Sequence, residues 1–212
     1  MADGRSGDSS KNPIDSLLDY WFEGSPAEPA RLQALMKKWF KGSAEHDLEL
    51  EQQFGALARA AASGELDSWA KTPRSRLALI ILLDQLPRNL YRGQAQAFAQ
   101  DKKALDLCLK GMDEQLDLRL QPLERIFFYM PLQHSESKEV QAFSTDAFGE
   151  LAAVHLGESL APVLKNSANF AVEHREIVDR FGRFPHRNSI LERRSTEKEI
   201  EFLATGGSSF GQ

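Results

Sequence analysis

The segment that most constrains this chain is Leu77-Ala78-Leu79-Ile80-Ile81-Leu82-Leu83, a helix body that is apolar on every side. Thr72 and Pro73 open it, as a capping side chain followed by a residue whose fixed φ suits the first helical turn. A helix with no polar face must be surrounded by other chain, and this apolar run is far too short to cross a bilayer. It is expected to be the central helix of the fold. Polar residues return abruptly at Asp84-Gln85, and Pro87, which lacks an amide donor, is expected to end or kink the helix.

The neighbours of that helix read as helices too, because no stretch alternates apolar and polar residues long enough to make a strand. Asn12 and Pro13 start a helix with Ile14, Leu17, Leu18, Trp21 and Phe22 on one stripe, ended by Gly24 to Pro26. A second, from about Pro29, carries Leu32, Leu35, Met36, Trp39 and Phe40 and stops at Gly42. A third, Ser43 to Ser63, buries Leu50, Phe54, Leu57, Ala58 and Ala61 and is closed by Gly64. Further helices are expected near Ala95 to Lys110, Pro122 to Met130, Ser137 to His155, Ala161 to Phe181 and Thr196 to Leu203, the last with Thr196 and Glu199 as a capping box. Short connections between such helices predict an all-α fold of antiparallel pairs, either a multi-helix bundle or an α/α superhelix. The expected organisation is a flexible tail over 1–12, one helical domain over 13–204 and a C-terminal tail over 205–212.

At 212 residues the chain can bury a sufficient core without disulfides or metals. A formal charge of -5 argues against nucleic acid or an anionic membrane surface as partner, so any basic site has to be local. The single cysteine, Cys108, sits among Leu105, Leu107 and Leu109; it excludes an internal disulfide and reads as a core thiol in a reducing compartment. The first twelve residues have neither the basic start nor the apolar stretch of a secretion signal, which makes the cytoplasm the expected location. The sequence calls for no cofactor, and no metal set or nucleophile stands out.

Four polar clusters lie where apolar helices end. In Asp84-Gln85-Leu86-Pro87-Arg88-Asn89-Leu90-Tyr91-Arg92, the Asp84 charge follows wholly apolar turns and needs a partner, for which Arg88 is nearest. That pair serves equally as a lock between helices or as part of a ligand site. In Pro131-Leu132-Gln133-His134-Ser135-Glu136, Ser135 or Ser137 can cap the next helix; His134 and Glu136 together form an acid-base pair or bind a cation, though two residues fall short of a metal-site pattern, or His134 is a structural hydrogen-bonded histidine. His174 shares a stripe with Phe170, Ile177, Val178 and Phe181, so it faces the core or a cavity in it. The densest cluster is Arg180-Phe181-Gly182-Arg183-Phe184-Pro185-His186-Arg187-Asn188. Gly182 can end a helix in the left-handed conformation, so that Arg and His surround one helix end, either capping its carbonyls or binding a carboxylate or phosphate. Pro87-Arg88-Asn89 echoes Pro185-His186-Arg187-Asn188, and two such turns facing one another would clamp a single planar anion.

Taken with Lys38-Trp39-Phe40, Gly64-Glu65-Leu66-Asp67-Ser68-Trp69 and Leu82-Leu83 before Asp84, these motifs resemble the bacterial family catalogued as domain of unknown function 924. The resemblance covers the chain after about residue 12. It implies a tetratricopeptide-like helical fold and carries no activity or catalytic residues. Where the family has Leu-Gly-Arg-Glu-Ser-Thr, this chain has Leu191-Glu192-Arg193-Arg194-Ser195-Thr196. Glu192 in place of glycine predicts a backbone outside the left-handed region there.

The leading functional expectation is binding of a small anionic molecule or a peptide carboxylate in a pocket lined by Arg88, Asn89, Tyr91, His134, His174, Arg183, His186, Arg187 and Asn188, with Tyr129 and Phe184 adding apolar walls. The alternative on the same pocket is an enzyme with His134 or His174 as general base, oriented by Glu136 or Asp84. A third class is a helical scaffold that binds peptides along a concave face. Nothing in the sequence bears on oligomeric state.

Overall fold

The computed structural model describes residues 12–24, 29–41, 43–208 and 210. The expected stop at Gly42, the turn at Ser25 and Pro26 and most of the N-terminal tail lie outside those residues, as do parts of the C-terminal one. Every regular element among the described residues is helical: α1 (Pro13–Phe22), α2 (Pro29–Lys41), α3 (Ala44–Ser63), α4 (Pro73–Ile80), α5 (Leu86–Leu90), α6 (Asp101–Asp113), α7 (Pro122–Gln133), α8 (Lys138–Val154), α9 (Ala161–Phe181) and α10 (Glu197–Ala204). Side-chain caps appear at the starts read from the sequence. Asn12, Ser43, Thr72, Ser137 and Thr196 each accept an amide hydrogen bond from the first turn of their helix, satisfying donors that no helix can satisfy internally.

α4 is the centre, with Leu77 to Leu83 all at 0% exposure. The helix does not stop at Pro87. A π turn over Ile81–Gln85, in which the Leu86 amide reaches back to the Ile81 carbonyl, joins α4 to α5. Proline cannot donate and its ring crowds the carbonyl four residues back; the widened turn accommodates it, and the helical path continues to Leu90. Pro131 is likewise carried inside α7, which runs to Gln133 rather than ending near Met130. The carbonyls freed at that end are taken up by the fully buried Gln141 of α8, whose Nε2 donates to Gln133 O at 2.8 Å and Ser135 O at 2.7 Å. The helix expected from Ala95 is divided: a 3₁₀ turn covers Ala95–Phe98 and α6 begins at Asp101.

One apolar cluster extends from Leu17 in α1 to Ala171 in α9. Its aromatic hub is Phe127, whose ring centroid is 4.7 Å from Trp39, 5.7 Å from Trp21 and 5.5 Å from Phe22. Trp39 Nε1 also donates to Trp21 O at 2.9 Å, tying α2 to α1. Cys108 is buried in the same core, and burial pushes its thiol pKa well up. α8 and α9 pair antiparallel, as Lys138 Nζ donating to Asp179 O (2.9 Å) and Arg175 Nη1 to Thr145 Oγ1 (3.1 Å) show. No helix among the described residues is long and apolar enough to cross a membrane.

Candidate functional site

The π turn delivers Asp84 to a place where water cannot reach it. Its Oδ1 lies 2.7 Å from His134 Nδ1 and 3.3 Å from Arg88 Nη1, and its Oδ2 accepts from Gln85 Nε2 at 2.6 Å. Burial by itself would raise the carboxyl pKa, but Arg88 and His134 outweigh it and hold the group below the usual carboxylate range. An ionised carboxylate only accepts, so His134 carries its proton on Nδ1 and keeps its lone pair on Nε2. Burial and the Arg88 charge lower the His134 pKa against the pull of Asp84, which makes the ring a neutral base.

Arg88 extends the network. It donates to the Asp84 carbonyl at 2.6 Å and, through Nη2, to Asp101 Oδ2 at 2.9 Å. Arg187 Nη1 donates to the same Oδ2 at 3.3 Å. The two echoing turns thus meet, and the anion between their guanidinium groups is the protein's own Asp101. Arg187 lies between the rings of Phe98 and Phe184, 4.6 Å from each centroid. Burial, then the Arg88 charge, lowers its pKa to about 10, leaving it protonated at neutral pH.

His134 lines two cavities. The larger, of about 750 Å³, lies between α2, α5, α7 and α9, and Arg88, Asn89, His174, Trp39, Phe40 and Lys37 are among its walls. The smaller, of about 410 Å³, is bordered by Asp101, Glu136 and Arg187. His174 is buried, and its Nδ1 donates to the Phe170 carbonyl at 2.7 Å. Burial, and after it the neighbouring His134, push its pKa down to about 3. The two imidazole centroids are 6.3 Å apart.

The other expected residues have different tasks. Asn89 lines the larger cavity and donates to Asp47 Oδ1 at 3.1 Å. Tyr91 lines neither cavity; its phenol interacts with Arg59. Arg183 is likewise outside both, held by Glu199 of α10 at 2.6 and 2.8 Å. Asn188 is buried and structural, donating to Ser195 Oγ and accepting from Arg193 Nε. His186 borders neither cavity and packs against Phe184, with burial and Arg187 lowering its pKa to about 4. Tyr129 donates to the buried Asp117 and forms no cavity wall, while Phe184 supports His174 and Arg187 from behind.

Glu136 does not orient a histidine. It accepts from the Phe184 amide at 2.8 Å and from Arg193 at 2.7 and 3.0 Å in a two-pronged pair. Arg193 is therefore a positioned residue, and the expectation at Glu192 is corrected: its φ is +54°, in the left-handed region, without glycine. The ties of Arg193 to Glu136, Asn188 and the Phe184 carbonyl hold that turn against the steric cost. Glu192→Gly is accordingly expected to stabilise the fold by about 0.5–1 kcal/mol, a rise in melting temperature of roughly 2–3 °C by thermal denaturation.

Asp101 and Lys37 are among the site residues that the sequence does not mark as such. Asp101 falls in mid-helix if one helix is expected from Ala95, whereas it is the first residue of α6. Lys37, between Met36 and Lys38, has the pattern of a solvated face and no signal that distinguishes it.

The family model of the bacterial proteins of unknown function DUF924 matches residues 17–207. The chain belongs to that family. A solved structure that the chain resembles is that of a protein of unknown function from Agrobacterium tumefaciens, 34% identical, with a TM-score of 0.76, covering 91% of this chain and 97% of that one. A comparison with curated proteins finds no match.

Proposed function

We propose that this DUF924 protein binds a small anionic molecule with an apolar portion in the larger cavity. The observation that carries the reading is the sign of the walls. The described lining includes Lys37, Arg88 and Arg92 and no aspartate or glutamate, in a chain whose formal charge is -5. Arg88 is already matched by Asp84 and Asp101, and Arg92 contacts Asp47. Lys37, exposed at the rim, has no ion-pair partner among the described residues, so its charge is the one left for a ligand. Trp39, Phe40 and Phe170 supply apolar surface beside it.

The test is a thermal-shift screen of wild type and Lys37→Ala against phosphorylated and carboxylated metabolites. A ligand at a hundred times its Kd adds about 2.7 kcal/mol to the folded state, a shift of several degrees. Lys37→Ala should weaken a hit about tenfold or more, the loss of one charge-assisted hydrogen bond. Stabilisation by no member of the panel, or equal stabilisation of the variant, would overturn the reading.

The Asp84–His134 contact favours a second reading on the same cavity: general-base catalysis, with His134 taking a proton through Nε2 and Asp84 fixing its tautomer. His134→Ala would then lose turnover by about 10²–10⁴-fold, well beyond any accompanying loss of affinity.

A further inference from the structure

Both imidazoles in the larger cavity are committed at the same edge. His134 Nδ1 faces the Asp84 carboxylate and His174 Nδ1 faces the Phe170 carbonyl. Each partner can only accept, so each Nδ1 carries a proton and the nitrogen left for a ligand is Nε2. Burial, then the Arg88 charge, lowers the His134 pKa against the pull of Asp84 and Asp101, and burial, then His134 and after it Arg187, lowers that of His174. At neutral pH two imidazoles of the cavity wall are therefore held with an unprotonated Nε2 that has no partner among the described residues, an unusual provision in a wall that otherwise favours anions. Two acceptors require two donors from the ligand. An ammonium donor would meet the uncompensated Lys37 charge in the same cavity and is unsuitable. Neutral hydroxyl groups satisfy both the lone pairs and the field.

We infer that the ligand is a hydroxylated anion: its anionic group lies at Lys37 and two of its hydroxyl groups donate to Nε2 of His134 and of His174. This inference rests on the anion reading above and names the chemical class it would take. It also gives the histidines a positioning role that does not depend on catalysis, since a hydroxyl held at His134 Nε2 is recognised whether or not its proton is later removed.

The test compares matched anions that differ only in hydroxyl groups: glycerol 3-phosphate with propyl phosphate, and glycerate with propionate. Binding is measured by calorimetry on the full chain, and the ring nitrogens are followed by long-range ¹H–¹⁵N NMR. Without ligand, both His134 and His174 should be in the Nδ1–H tautomer at pH 7. The hydroxylated member of at least one pair should bind about tenfold more tightly or better, the yield of two net hydrogen bonds, and should shift both Nε2 resonances. His174→Phe and His134→Phe should each shrink that preference to within about threefold.

Equal binding of both members of each pair would overturn the inference and leave the anion reading standing. A preference that survives both variants, or an Nε2–H tautomer at either ring, would overturn it as well. Binding of none of the four anions would overturn the inference, and the thermal-shift panel would then decide the anion reading separately. Should either variant fail to fold, the wild-type tautomers and the ligand-dependent Nε2 shifts decide the outcome alone.

Discussion

Asp84→Ala is expected to destabilise the protein by about 3–5 kcal/mol, the usual cost of removing one partner from a buried ion pair. The deletion leaves Arg88, of which 6% is exposed, with Asp101 as its one remaining carboxylate in the network and strips His134 of the acceptor that fixes its tautomer. For a chain of this length the melting temperature should fall by roughly 10 °C. The loss has a defined pH dependence. The Asp84 carboxyl is held below its ordinary range in the folded state, so its contribution is complete above the unfolded value of about 4 and disappears as pH falls toward the lower folded value. The gap in unfolding free energy between wild type and Asp84→Ala should therefore be constant from pH 5 to 8 and narrow below about pH 4. A gap independent of pH down to acid denaturation would mean that Asp84 stabilises by packing and not by charge. Urea denaturation across that range makes the measurement.

Phe127→Ala should cost about as much, roughly 3–5 kcal/mol, through an apolar void in place of a charge defect. Phe127 is at 0% exposure, and its ring touches those of Trp21, Phe22 and Trp39, with Phe40 stacked 6.4 Å away. No polar group is uncovered by the truncation, so the loss should be insensitive to pH across the window in which Asp84→Ala varies. Phe127 does not line the larger cavity, but Trp39 and Phe40 do. The variant should consequently weaken any ligand found in that cavity by loosening α2 against α7, although no ligand contact has been removed. Unchanged affinity alongside the stability loss would show that the cavity wall does not depend on this aromatic hub.

These two residues differ in how far the sequence foretold them. Asp84 was marked by position alone: a carboxylate directly after seven apolar helical residues has to be buried, and a buried charge has to be paired. Arg88 followed from helical spacing. The aromatic hub gave no comparable signal, because Phe127-Phe128-Tyr129 is merely an apolar stretch until packing decides which ring meets α1 and α2. The Arg-rich turn was legible as a place and only partly as a role. Of its residues, Arg183 and Asn188 hold neighbouring chain, whereas Arg187 reaches the network around Asp101.

Local chemistry determined the elements. Caps at Asn12, Ser43, Thr72, Ser137 and Thr196, apolar stripes at helical spacing and the wholly apolar body of α4 are properties of neighbouring residues, and they fixed an all-helical chain with α4 inside. Long-range juxtaposition determined the site. The anion between Arg88 and Arg187 is Asp101, 13 and 86 residues away. The orienting carboxylate of His134 is Asp84, 50 residues distant, rather than nearby Glu136. Even the left-handed Glu192 is explained by Arg193 reaching Glu136, 57 residues back. Propensity and capping act within a few residues of chain, whereas the pairing of buried charges is settled by whichever partner the packed helices bring within hydrogen-bond distance; the first can be read along a sequence and the second only across a fold.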